Sequence, residues 1–152
     1  MPQRIAVIPG DGIGPEVARV GVRLLSRLSD LRGLKLEFDW FDFGAERYLR
    51  DGTALPEGFM DRLRREYAAV YFGAVGDPRV PGNEHAKGTL LAMRFELDLY
   101  INLRPCILID DRLSPLKGKG RAHLRFVVFR ENTEGLYAGV GGALKKDTPD
   151  EV

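Results

Sequence analysis

The chain has 152 residues, 44% of them hydrophobic and 30% charged, with 23 Lys+Arg against 22 Asp+Glu for a formal net charge of +1. That is roughly one domain's worth of ordinary globular chain, with enough apolar side chain to offset the entropy of ordering, which excludes a disordered protein. The absence of a basic excess excludes electrostatic capture of nucleic acid or an anionic membrane surface, and the longest apolar stretch, at 68–75, is far short of the ~20 residues of a membrane span.

Residues 4–8 (RIAVI) are a short apolar run stopped by Pro9-Gly10, the pattern of a buried strand. Gly10-Asp11-Gly12-Ile13-Gly14 follows, then Pro15 and Glu16, which suit the first turn of a helix. Val17, Val20, Gly21, Leu24, Leu25, Leu28 and Leu31 recur at helical spacing, with Arg19, Arg23, Arg27 and Asp30 between them. They predict an amphipathic helix whose apolar side is that set and which ends near Gly33. Leu34, Leu36, Phe38 and Trp40 alternate with charged residues, as in a half-buried strand. Residues 45–50 read as a short helix closed by Asp51-Gly52. Pro56 opens another, with Phe59, Met60, Leu63 and Tyr67 on one face. Residues 68–73 (AAVYFG) read as a buried strand of the parallel-sheet kind. This β-α-β-α-β order predicts an α/β fold with a largely parallel sheet flanked by helices.

Residues 76–88 read as a polar loop, long for a connector and placed at a strand end, where function concentrates. Residues 89–99 read as helix, 102–109 as extended chain around Pro105 and 113–121 as a turn. Residues 124–129 (LRFVVF) read as a last buried strand, and 137–142 as a glycine-rich hairpin or loop. The single cysteine, Cys106, excludes an internal disulfide and fits a reducing, cytoplasmic setting. The start, Met1-Pro2-Gln3-Arg4-Ile5, enters a strand-like run at once with no visible signal or transit peptide.

Three constellations bear on chemistry. The strand–GDGIGPE–helix turn allows a ligand to approach backbone and a helix N-terminus. It matches neither the G-x-G-x-x-G fingerprint nor a P-loop, and Asp11 would repel a phosphate lying against it; a tight β-α turn explains it equally well. Leu90, Leu91 and Arg94 share a helical face and are followed by Arg104, a set that suits an aliphatic acid, although two core leucines and a solvated charge give the same pattern. Arg130, at the end of a strand, precedes Glu131-Asn132-Thr133-Glu134-Gly135-Leu136-Tyr137, where a turn at Gly135 returns a tyrosine to the same neighbourhood. A neutral, aimed tyrosine donates protons, while a hairpin with a packed aromatic is the plain structural alternative. His85 and His123 are isolated and no metal-ligand spacing occurs. Of the basic residues 17 are Arg and six Lys, a bias that suits forked carboxylate recognition but also follows from genome composition or heat adaptation.

Five segments together resemble the metal-dependent β-decarboxylating dehydrogenases, which include the isopropylmalate, isocitrate, homoisocitrate and tartrate dehydrogenases. They are IAVIPGDGIGPEV at 5–17, GAVGDP at 73–78, LLAMRFELDLYINLRP at 90–105, LSPLK at 113–117 and RENTEGLYAG at 130–139. The resemblance spans essentially the whole chain. It implies an isopropylmalate/isocitrate dehydrogenase-like fold, with residues 1–100 as a first α/β domain and 101–152 as the start of a second, substrate-binding and dimerising one. It implies oxidation of a 2-hydroxy dicarboxylic acid by NAD or NADP, then loss of the β-carboxylate with Mg²⁺ or Mn²⁺, in a homodimer.

Carried over by position, Arg94, Arg104 and Arg130 match the arginines that hold the substrate carboxylates, which fits the forked charge such an acid requires. Tyr137 matches the tyrosine of proton transfer to the enol carbon. Ile13, Gly76, Asp77, Lys87 and Thr89 match positions lining the dinucleotide. Leu90 and Leu91 match the wall that receives an isopropyl group. Lys87 stands where the isopropylmalate pattern has glutamate. The run 88–91 and Val140-Gly141-Gly142 lean towards the tartrate type, which keeps tartrate, malate and isocitrate as alternative substrates. In the family pattern the lysine base and the metal-holding aspartates lie beyond Val152, so the chain reads as the N-terminal portion of such an enzyme. The competing readings are a non-catalytic fragment or subunit that binds a dicarboxylate or a partner chain, and a nucleotide-phosphate-binding protein using the glycine turn.

Overall fold

A computed structural model describes residues 2–135, Ala138 and residues 140–152. Tyr137 lies outside the described residues. The chain divides into two compact units, Met1–Leu97 and Asp98–Val152. Among the described residues no helix is long and apolar enough to cross a membrane.

The first unit is built on a parallel three-stranded sheet in the order β2-β1-β3, with β1 Gln3–Gly10, β2 Leu36–Trp40 and β3 Ala69–Ala74. The central strand is the apolar one, as a strand covered on both faces must be: Ala6, Val7 and Ile8 are fully buried. The expected strand at 68–73 is instead an edge, half-buried through Val70, Tyr71 and Phe72. At the lower end Arg4 ties the strands together. It donates to Asp39 of β2 at 2.7 Å and to Glu66 at 2.9 Å, and its guanidinium holds the Asp39 carboxyl below the usual range.

Helix α1, Gly14–Arg32, begins with Pro15 in its first turn and ends at Gly33. Most of its expected apolar side does not face the sheet: Val17, Val20, Leu24, Leu28 and Leu31 are exposed, while Gly21 and Leu25 of that set are half-buried. The buried positions are Gly14, Ala18 and Ser29. One residue along a helix is a rotation of about 100°, so a stripe of small residues displaced by one position from the bulky one makes the contact. Closeness decides the matter, since a Cβ at Gly21 would collide with the Tyr71 hydroxyl and one at Gly14 with the Pro9 carbonyl.

Helices α2, Ala45–Asp51, and α3, Phe59–Glu66, follow β2. The core gathers Ala6 and Ile8 of β1 with Phe43, Phe59, Met60, Leu63 and Met93. Phe43 and Phe59 meet edge to face at 4.7 Å, and Phe41 stacks on Phe43 at 5.3 Å, both favourable ring geometries.

The region expected as a loop to residue 88 turns helical earlier. After a turn at Pro81–Asn83 come α4, Glu84–Ala86, a π-helical turn, Lys87–Leu91, and α5, Ala92–Glu96, which form one continuous arm. Gly82, Asn83 and Gly88, poor helix formers, hide it from a reading by propensity.

In the second unit β4, Ile101–Ile107, pairs antiparallel with β5, Arg125–Glu131, in register from Ile101↔Glu131 to Ile107↔Arg125. β5 was expected to be buried. Phe126, Val127, Val128 and Phe129 are exposed instead, because among the described residues β4 is its sole sheet partner and this unit has no α-helix to cover a face.

Candidate active site

The site in the first unit starts at the glycine turn. Gly10 and Gly14 are dictated by packing, because a Cβ at either would strike backbone of Ala74 or Pro9. Gly12 has a φ of 55° and open space beside it. Ile13 is 69% exposed at the tip. The turn is therefore a tight β-α connection whose outer edge, Gly12 and Ile13, is open.

Asp11 does not face a ligand. It is buried and its carboxylate turns inward, where Oδ1 accepts the Ala45 amide at 2.6 Å and Oδ2 accepts the Gly76 amide at 3.0 Å. His85 is not isolated either: its Nε2 lies 2.9 Å from Asp11 Oδ2 and its ring is fully buried. One carboxylate thus joins the glycine turn, the start of α2, the loop after β3 and the arm. No local sequence signal marks this pair, because its members are 74 residues apart.

His85, Thr89 and Met93, four residues apart, form the buried side of the arm. The Thr89 hydroxyl donates to the His85 carbonyl at 2.9 Å. In the π turn the Ala92 amide reaches back to the Lys87 carbonyl, a widening often found at functional positions. Leu90, Leu91 and Arg94 are half-buried on neighbouring faces. Half-buried arginines elsewhere in this unit are paired: Arg4 with Asp39, Arg47 with Asp42 and Arg62 with Glu66. Arg94 forms no salt bridge among the described residues, so its guanidinium lacks the carboxylate that such a position favours.

Two of the remaining candidates are already committed. Asp77 accepts a two-pronged contact from Arg79, at 3.0 and 2.7 Å, which pushes its carboxyl down to about 2. Arg79 also reaches Glu46 of α2 at 2.6 Å. Lys87 donates to Glu84 at 2.9 Å, so part of its charge is matched locally. Gly76 is exposed, and a Cβ there would meet nothing within 4 Å.

In the second unit the register sets Asn102 opposite Arg130 and Arg104 opposite Val128. Alternation along the strands then places Asn102, Arg104 and Arg130 on one face. Asn102 Oδ1 accepts the Arg104 Nε–H at 2.8 Å, and its amide reaches buried Asn132 at 3.4 Å. Glu131 caps the following turn, accepting Thr133 Oγ1 at 2.5 Å, Thr133 N at 2.8 Å and Glu134 N at 2.7 Å; these donors, the hydroxyl first, push its carboxyl down to about 2. Sequence reasoning missed Asn102 and Asn132, whose contact depends on strand pairing, and Glu131, whose donors lie two and three residues further along the chain. The first unit thus carries Leu90, Leu91 and Arg94 on its arm, and the second carries Arg104 and Arg130 on one strand face. Among the described residues no three His, Cys, Asp or Glu side chains gather to hold a metal.

The comparisons with known proteins agree on one family. The profile of the isocitrate/isopropylmalate dehydrogenases matches residues 4–152. The 3-isopropylmalate dehydrogenase of Bifidobacterium longum (strain DJO10A) is 49% identical over 150 residues, 98% of this chain and 42% of that protein. The 3-isopropylmalate dehydrogenase of Thermobifida fusca (strain YX) is 44% identical over 149 residues, again 98% and 42%. Among solved structures, isocitrate dehydrogenase from Methylococcus capsulatus superposes with a TM-score of 0.70 at 29% identity, covering 95% of this chain and 39% of that one. The β-decarboxylating dehydrogenase from Thermococcus kodakarensis, in its apo form, does so at 0.64 and 33% identity, covering 99% and 39%. The chain spans about two fifths of the length of the curated relatives it matches. With its glycine turn, its arginine-bearing arm and its β4–β5 pair all inside the matched region, the chain belongs to the isocitrate/isopropylmalate dehydrogenase family.

Proposed function

We propose that this chain contributes the substrate arginines and part of the cofactor rim to an NAD-dependent oxidative decarboxylation of 3-isopropylmalate. The observation that carries the reading is the arm: two half-buried leucines, Leu90 and Leu91, stand four and three residues before a half-buried arginine, Arg94, that forms no salt bridge among the described residues. An isopropyl group beside a carboxylate matches that pattern, and burying it would contribute about 1.5–3 kcal/mol. Arg104 and Arg130 serve the remaining acid groups, with Asn102 orienting Arg104 through its Nε–H.

The open edge at Gly12, Ile13 and Gly76 fits the flat ring of a dinucleotide, with Lys87 exposed on the arm and Asp77 fixed by Arg79; Thr89, expected on this rim, is instead buried with its hydroxyl on the His85 carbonyl and supports the arm from behind. Bound NAD would supply a hydride acceptor for the carbon bearing the hydroxyl. The chain's own residues bind and orient the acid, and Tyr137, by position in the family motif, returns a proton to the enol carbon. Among the described residues no three His, Cys, Asp or Glu side chains gather to hold Mg²⁺ or Mn²⁺, and the family pattern assigns the metal ligands and the base at the hydroxyl to positions after 152. We further propose that the working form is a cytoplasmic homodimer.

The test follows NADH formation with isopropylmalate, tartrate, malate and isocitrate, with Mg²⁺ or Mn²⁺ present, in the complete gene product and in the 152-residue chain. Isopropylmalate should give the highest kcat/KM and the short chain none. Preference for tartrate or isocitrate overturns the substrate, and turnover by the short chain overturns the division of labour.

A further inference from the structure

We infer that His85 is a positioning residue, whose buried bond to Asp11 fixes the arm bearing Leu90, Leu91 and Arg94 against the glycine turn and Gly76. The inference rests on the function proposed above, because it gives that arm its task. The imidazole is fully buried and only one of its nitrogens is satisfied: Nε2 faces Asp11 Oδ2 at 2.9 Å, while buried Nδ1 has no partner among the described residues. Two acceptors cannot share that distance, so the proton sits on Nε2 and is donated to the carboxylate. Nδ1 is then left without a hydrogen bond in either the neutral or the charged ring, which is costly in the interior. A leucine of similar volume would avoid the cost, so packing alone does not favour histidine here.

What the histidine adds is a directional link. Asp11 is already held by the Ala45 and Gly76 amides, so its second oxygen is a fixed point shared by the proposed cofactor rim. The arm touches that point through His85. It continues along the same buried side through Thr89, whose hydroxyl bonds the His85 carbonyl, to Met93 in the core. Between the last two anchors stand Leu90 and Leu91, and Arg94 follows Met93 directly, so a shift at His85 is a shift of the substrate wall relative to the cofactor edge. Misplacement of reacting groups by about 1 Å costs up to about 100-fold in rate.

The test compares His85→Leu, which keeps volume and loses the donor, with His85→Gln, which keeps a side-chain N–H. In the complete enzyme His85→Leu should raise KM for the hydroxy acid about tenfold at undiminished thermal stability, and His85→Gln should return it to within about threefold. An unchanged KM in folded His85→Leu overturns the assignment. Two readouts stand apart from turnover. Nitrogen-15 NMR of the wild-type protein should show a proton on Nε2; an Nδ1–H tautomer refutes the bond even where neither variant folds. Amide exchange over residues 84–94 should accelerate at least tenfold in His85→Leu alone, and equal protection in both variants refutes the link. Failure of the wild-type enzyme to oxidise any 2-hydroxy acid would overturn the proposed function, leaving these two readouts to judge the positioning role.

Discussion

Arg104 and Arg130 stand on the same face of the β4–β5 pair, two residue pairs apart in a register that sets Asn102 opposite Arg130 and Arg104 opposite Val128. Diagonal neighbours across a sheet lie about 7–8 Å apart, close enough for two guanidinium groups to grip one small dicarboxylate.

Arg104→Ala should consequently raise KM, lower kcat and reduce kcat/KM for the preferred acid by about 10–100-fold, from about 1.5–3 kcal/mol for a hydrogen bond to a charged group. Arg104→Lys should recover little of this, because an ammonium lacks the planar fork and the Nε–H that Asn102 accepts. Steady-state kinetics with thermal melts checks it. Arg104 is exposed, so stability should hold, and unchanged kinetics would remove it from the site.

The turn after β5 makes a second, independent prediction. The Thr133 hydroxyl, then the Glu134 and Thr133 amides, hold the Glu131 carboxyl at about 2, well below its ordinary value near 4.5. A depressed folded value means the charged form stabilises the fold above the unfolded pKa, and that this contribution is lost as pH falls towards the folded one. Glu131→Gln should therefore be less stable than wild type at pH 7, and the gap should close between about pH 4.5 and 2. Denaturant midpoints across that range measure it; a gap independent of pH would show that the carboxylate does not organise the turn.

These residues also show what a linear reading can and cannot see. β1, α1 and the helix end at Gly33 announce themselves locally, through an apolar run, a 3.6-residue period and a glycine. The face of α1 that meets the sheet does so only in part, because bulk points to Val17, Leu24 and Leu31 while the contact is made by Gly14, Ala18 and Gly21, of which Gly21 alone falls in the periodic set. The arm is hidden because Gly82, Asn83 and Gly88 interrupt its pattern, although Glu84 already begins it. The family segments locate Arg94, Arg104 and Arg130 as candidates without any geometry. Asp11 with His85 exists only once the arm packs on the glycine turn, and Asn102 with Asn132 only once β4 pairs with β5.

Glycine substitutions separate packing from ligand approach. Gly14→Ala forces a Cβ into the Pro9 carbonyl and should destabilise the protein by about 1–3 kcal/mol, whatever ligand is present. Gly76→Ala meets nothing within 4 Å, so stability should stay within about 0.5 kcal/mol. If a dinucleotide lies along this edge, the added methyl should raise KM for NAD while sparing the melting temperature. An unaltered KM for NAD would move the cofactor away from Gly76.

Substrate choice gives the last prediction. Leu90 and Leu91 are apolar surface in front of a charged group, so their worth depends on whether the acid carries an alkyl branch. Truncating both to alanine should lower kcat/KM for isopropylmalate by about 10–200-fold relative to malate, the range in which a hydrophobic pocket distinguishes small apolar groups. Malate and tartrate, which lack the branch, should be little affected, because their transition states gain nothing from a greasy wall. The ratio of the two kcat/KM values in one preparation is insensitive to the fraction of folded protein. A ratio that does not move would assign these leucines to the interior and leave the identity of the acid to the arginines.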